Sequence, residues 1–155
     1  MTIQKHHTIA PHEMRRVILE SPFAGDIEAN LTYARACMRD SLLRGEAPQV
    51  SHCLYTQPGV LNDGDALERA HGINAGHAWM NCADAVVVYT DRGISSGMQA
   101  GIRTAEFIRI PVEYRTLPGY VATPVANITP EQFQGAVEVL ERDSGGPVIV
   151  LNPEA

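Results

Sequence analysis

Seven residues near the middle of the chain, Asp91-Arg92-Gly93-Ile94-Ser95-Ser96-Gly97, combine two glycines and two hydroxyls with one acid and one base. They follow the apolar run Ala85–Tyr89 and precede a segment of helical periodicity, so they read as a strand-to-helix turn. The first N–H groups of a helix have no intrahelical acceptor, and the helix dipole adds positive charge there, so such a turn suits an anion, typically phosphate. Ser95, Ser96, Gly97 and Met98 are the positions that would meet the anion, with Asp91 and Arg92 beside it. A serine here also caps a helix with no ligand at all, and Arg92 either pairs with phosphate or stays solvated. The pattern is neither Gly-x-Gly-x-x-Gly nor Gly-Lys-Ser/Thr, which argues against a dinucleotide-dependent dehydrogenase and a P-loop kinase.

Acids and histidines gather on a second stretch. Asp63, Asp65 and Glu68, followed by Arg69, lie at the start of an expected helix, with His52, His71 and His77 as proton carriers. Glu68 is the best-placed acid of this group, although a first-turn glutamate also serves simply to complement the dipole. His52 and Cys53, read as neighbours on a strand, point to opposite faces and form no dyad, which leaves His52 to face a ligand. Tyr55 and Phe23 either stack on a base or join the core. The catalytic candidates are therefore Glu68, Asp91 and His52. A third loop, Ser21-Pro22-Phe23-Ala24-Gly25-Asp26, adds Ser21, Pro22, Phe23 and Gly25 to the binding candidates. His71 and His77 lie six apart, where a helical zinc pair needs three or four, so no metal site is expected.

These residues need a scaffold. Residues 1 to 14 carry little periodicity and read as a flexible leader, with one domain from 15 to 155. Arg15–Glu20 is β-rich, and from Asp26 to Gly45 the apolar positions Ile27, Leu31, Ala34, Met38 and Leu42 recur at helical spacing. Pro48–Tyr55 is expected as a second strand, and 56–65, rich in Pro, Gly and Asn, as a ligand flap. A helix with Leu67, Ile73 or Ala70, and Trp79 on its apolar face follows over 66–83, then the strand at 85, a helix over 95–108 and a strand over 111–116. Thr129-Pro130-Glu131-Gln132 resembles a capping box opening a helix to about Arg142, before a last strand at Val148–Leu151. Such alternation specifies an α/β fold, a doubly wound, mostly parallel five-stranded sheet with helices on both faces, three layers of Rossmann or flavodoxin type. Ligands of such sheets lie off the carboxyl ends of the strands, where all three loops fall.

With 155 residues, 45% hydrophobic and 19% charged, the chain suits one globular domain. A net charge of −6 argues against a nucleic-acid polymer as partner. No apolar run approaches a membrane span or a secretory signal, so the reading is cytoplasmic. Three cysteines, Cys37, Cys53 and Cys82, lie in apolar segments and are expected as buried free thiols.

Glu20-Ser21-Pro22-Phe23-Ala24-Gly25-Asp26 with Asn30 and Tyr33-Ala34-Arg35, then Trp79, Ala83-Asp84-Ala85-Val86-Val87-Val88 and Ser95-Ser96-Gly97, resemble the nucleoside 2-deoxyribosyltransferase-like superfamily, in particular its small, phage-borne members. The likeness runs from Arg15 to about Leu117. It implies a small nucleoside or nucleoside 5′-monophosphate ligand, transfer or hydrolysis at the N-glycosidic bond, no cofactor, and a homo-oligomer in which a neighbour helps complete each pocket. It also implies a glutamate nucleophile in a Ser-x-Gly-x-x-x-Glu pattern, a position that holds Gly101 here, and a second acid where Gly76 stands. Gln99 and Glu106 are the nearest alternatives on that helix, and Gln99 is no carboxylate. The resemblance thus leaves two readings open: an enzyme with a relocated acid, or a sequestering or sensing protein that binds without catalysis.

Overall fold

The computed structural model describes residues 9–120. Strands β1 (Arg15–Glu20), β2 (Glu46–Gln49), β3 (Ala85–Tyr89) and β4 (Val112–Arg115) form one sheet in the order β2-β1-β3-β4, every pair parallel. The intervening helices are α1 (Ile27–Leu43), α2 (Ser51–Leu54), α3 (Ala66–Met80) and α4 (Ser96–Phe107), and a 3-10 turn at Pro11–Glu13 leads into β1.

Period-two alternation distributes β1 between two cores. Val17 and Leu19 join Tyr33 and Cys37 of α1, whereas Ile18 joins Met80 of α3 with Met98, Ile102 and Ala105 of α4. Helices therefore cover both faces, and the interior strand β3 is buried at every position. The α/β, three-layer expectation stands, with four strands among the described residues rather than five. The expected helix at 129–142 and strand at Val148–Leu151 lie outside the described residues.

The second strand differs from expectation. It ends at Gln49, and Cys53 and Leu54 donate backbone bonds to the Val50 carbonyl at 3.0 Å, starting α2. Pairing with β1 reaches only Ile18↔Gln49, so the chain is released from the ladder there. Pro48, which has no N–H to give, is tolerated because β2 lies at the edge of the described sheet.

Helix α1 is rotated from the face its apolar spacing suggests. Ile27 and Leu42 are 47% and 49% exposed, while Asn30, Tyr33, Ala34, Cys37 and Ser41 are buried. Two polar residues on the inner face are affordable because each has partners there. Asn30 bonds across to neighbouring loops, and the Ser41 hydroxyl donates to Glu46 at 2.7 Å. Helix α3 also turns its expected stripe outward, with Leu67, Ile73 and Trp79 exposed and Gly76 and Met80 buried. A Cβ at Gly76 would stand 2.8 Å from the Cβ of Ser51, so the glycine lets α3 close on α2. All three cysteines are free, but only Cys37 is buried. Burial pushes its thiol up to about 12, whereas Cys53 is half-buried and Cys82 is exposed. Among the described residues no helix is long and apolar enough to cross a membrane.

Candidate functional site

The chain leaves β1 for α1 on one face of the sheet and leaves the adjacent β3 for α4 on the other. The two exit loops, residues 21–26 and 90–95, thus diverge from neighbouring strand ends and leave a crevice between them. Glycine is required in both loops, since Gly25 and Gly93 adopt φ of 91° and 81°.

One side chain ties the loops together. Asn30 Nδ2 donates to the carbonyls of Phe23 and Ala24 at 3.0 and 2.8 Å, and its Oδ1 accepts from Arg92 Nε at 2.8 Å. Arg92 Nη1 also donates to Tyr120 Oη at 3.2 Å. Asp91 is likewise engaged. Its carboxylate accepts from Tyr33 Oη at 2.7 Å and from the Leu117 N–H at 3.0 Å, while its own N–H donates to Tyr33 Oη at 3.1 Å. Burial and the adjacent Asp91 carboxylate push the Tyr33 phenol well above its usual range, which keeps it a donor. In this geometry Asp91 and Arg92 shape the crevice wall by holding β3's exit loop against α1.

His52 stands on α2, not on a strand, so alternation does not apply to it. Its Nε2 lies 2.7 Å from the Oγ of buried Ser21, and its ring is 6.4 Å from that of Phe23, centroid to centroid. Burial lowers its pKa to about 4, so the imidazole is neutral at pH 7. A neutral imidazole in contact with a serine hydroxyl can take or relay a proton. His52 also lines a cavity of about 70 Å³ with Thr56, Asp63, Glu68 and Arg69, so two of the three catalytic candidates share one space. Within it Arg69 pairs with Asp63 at 2.8 Å and Glu68 accepts the Asn62 N–H at 2.6 Å. Asp65 caps α3, and Tyr55 Oη accepts from Trp79 Nε1 at 3.1 Å. Glu68 therefore braces the 56–65 segment while facing the same cavity as His52.

At the start of α4, Ser95 is the cap, its Oγ accepting from the Met98 N–H at 3.3 Å. Met98 is buried, with its sulfur 3.4 Å from the Ser95 nitrogen, while Ser96 and Gly97 are exposed at the mouth of the crevice. Of the turn's expected binding residues, Ser96 and Gly97 are exposed, Asp91, Arg92 and Ser95 are half-buried and Met98 is buried, and Pro22 on the opposite loop is buried.

One functional-type residue escaped the sequence reading. Glu20, the last residue of β1, points to the α4 side and lies against Gly101. A Cβ at position 101 would be 2.9 Å from Glu20 Cδ and closer still to Oε1. Burial alone raises this carboxyl to about 8, so it is mostly protonated at pH 7. The available signal was an acid closing the apolar run Val17-Ile18-Leu19 at the carboxyl end of a parallel strand, where ligands sit.

A family model described as "Domain of unknown function (DUF7768)" matches residues 15–115. No curated protein matches the chain. Among solved structures, a 2-deoxyribosyltransferase from the psychrotolerant bacterium Bacillus psychrosaccharolyticus aligns over 70% of this chain and 77% of that one, with 16% identity and a TM-score of 0.48.

Proposed function

The chain belongs to the DUF7768 family, whose description names no activity, and from the geometry of its crevice we propose that it binds a nucleoside or nucleoside 5′-monophosphate and acts on the N-glycosidic bond. The carrying observation is the switch in strand order between β1 and β3. The loops Ser21–Asp26 and Asp91–Ser95 flank it, tied by Asn30 to Arg92. The exposed backbone of Ser96 and Gly97 at the α4 N-terminus suits the phosphate or sugar end of the ligand. Phe23, partly exposed beside His52, suits the base. The sequence likeness to the nucleoside 2-deoxyribosyltransferase-like superfamily supports the same ligand class.

A second reading has its own support. Gly101 and Gly76, where acids would be expected from that likeness, favour a protein that binds the ligand without cleaving it. One assay separates them. The protein is incubated with ribo- and 2′-deoxyribonucleosides and their 5′-monophosphates, and thermal shift and free-base release are followed in parallel. Stabilisation with release supports the enzyme, and stabilisation without release supports the binder. The absence of stabilisation by every member refutes both.

A further inference from the structure

We propose that Glu20 is the catalytic acid of this site, protonating the departing base from the space that Gly101 leaves open. The inference rests on the nucleoside reading above and names the chemistry of that same crevice.

Three observations converge on it. The first is position. Residues 18 and 20 of β1 share a face, Ile18 packs among Met80, Val86, Val88, Met98 and Ile102, and Glu20 pairs in register with Val88 at the end of the strand. Its carboxyl therefore emerges on the α4 side at the carboxyl edge of the sheet, where β1 and β3 part. The second is the reciprocal fit with Gly101, since any side chain there would occupy the volume that the Glu20 carboxyl fills. A glycine in the second turn of a helix costs about 1 kcal/mol relative to alanine, and here it makes room for an acid. The third is the absence of a partner. Among the described residues no group donates to the Glu20 carboxyl, which is half-buried at the strand end, so its oxygens are not committed to the fold and stay available to a ligand.

The surroundings favour the protonated form. Position 101 of α4 and Val88 of β3 bring no ionisable side chain to it, and α3 contributes Met80 to that layer. The ionisable groups on these helices, Glu68, Arg69, His71 and His77 on α3 and Arg103 and Glu106 on α4, do not enter the shift, which has burial as its sole cause. A carboxyl mostly protonated at neutral pH is a donor, not a nucleophile.

The reaction balances with water as the only co-reactant. The Glu20 O–H gives its proton to a ring nitrogen of the base as the C1′–N bond breaks and its electron pair moves to the base. A water oxygen then bonds to C1′, and the water's proton returns to the Glu20 carboxylate, restoring the acid. The products are free base and free sugar or sugar phosphate. Ser21, which follows Glu20 in the chain, and its hydrogen-bonded partner His52 are assigned the orientation of that water.

The test compares wild type with Glu20→Gln on the nucleoside panel and on 4-nitrophenyl β-D-ribofuranoside, whose nitrophenolate departs without a proton. The variant is expected to keep the thermal shift and lose nucleoside base release by about 100-fold or more, yet cleave the nitrophenyl riboside near the wild-type rate. Wild-type release should fall as pH rises past about 8, and the variant should lack that limb. Gly101→Ala, which keeps the acid but displaces it, should reproduce the loss. Wild-type-like nucleoside release by Glu20→Gln overturns the assignment, as does loss of both activities. A wild type that is stabilised but releases no base overturns the acid and leaves the binding reading intact. A wild type that is not stabilised removes both.

Discussion

Replacing Glu20 with glutamine should change how stability depends on pH, whether or not a ligand is present. The folded carboxyl titrates near 8, against an ordinary value of 4.5. Between those values the native state holds a proton that the unfolded chain has released, so raising the pH favours unfolding. The contribution of Glu20 is complete below pH 4.5, erodes from there to about 8 and is constant above. At about 1.4 kcal/mol per pH unit, the wild type should lose roughly 3–5 kcal/mol across that window through this group. Glutamine carries the same bulk with no proton to lose, so any cost of burying its amide is the same at every pH. His52 acts in the opposite sense. With its pKa lowered to about 4 by burial, it withdraws stability as pH falls from 6.5 toward 4. The two slopes oppose each other between about 4.5 and 6.5, and only that of Glu20 operates between 6.5 and 8. Urea unfolding of both proteins at several pH values between 5 and 9 reads this directly. Stability of Glu20→Gln relative to wild type should rise steadily up to about pH 8 and then level off. A difference independent of pH would refute the upward shift of the Glu20 carboxyl, and with it the reason for expecting a proton donor there.

Other perturbations test the frame around the crevice. Asp91→Ala leaves the Tyr33 hydroxyl and the Leu117 N–H without their acceptor, and should cost about 2–4 kcal/mol in chemical denaturation. A loss below 0.5 kcal/mol, the size of an ordinary surface substitution, would show that Asp91 is free for a ligand. Ser95→Ala removes the α4 cap and should cost about 1 kcal/mol. The loss should disappear with Ser95→Asp, read as thermal midpoints. Gly76→Ala drives a methyl to 2.8 Å from Ser51 and should destabilise by about 1–3 kcal/mol, with most of the loss recovered in the Gly76→Ala, Ser51→Gly double variant.

The layers were legible because periodicity and caps are local signals. Ser95, readable as a cap, accepts a backbone N–H of the first turn of α4, as Asp26 and Asp65 do for α1 and α3, and β3 has the unbroken apolar run of a strand covered on both faces. What escaped depended on partners distant in sequence. The inner face of α1 includes Asn30, whose polar atoms are satisfied by residues 23, 24 and 92, and no spacing rule within the helix records that. β2 leaves the ladder at Gln49 although β1 continues to Glu20, and the chain turns at Val50 into α2, so a β-rich run that continued to Tyr55 gave no warning of the helix.

The site illustrates the same distinction more sharply. Ser95 and Ser96 were both readable as helix-start hydroxyls, but only tertiary placement divides them into a cap and an exposed position. His52 was singled out for a strand end it does not occupy. It meets Ser21 because α2 folds back over the β1 exit, a contact spanning 31 residues. Gly101 is the clearest case. Along α4 it reads as a missing carboxylate, and the search for a substitute then stays on α4, at Gln99 and Glu106. Across the sheet it is half of a pair, because the space above it is filled by an acid from β1. A side chain's function belongs to the volume its reactive atoms occupy, and adjacent elements can reach the same volume from different backbones. On that argument the glycine does not remove an acid from the crevice. It permits one to enter from another element, in a setting that keeps it protonated.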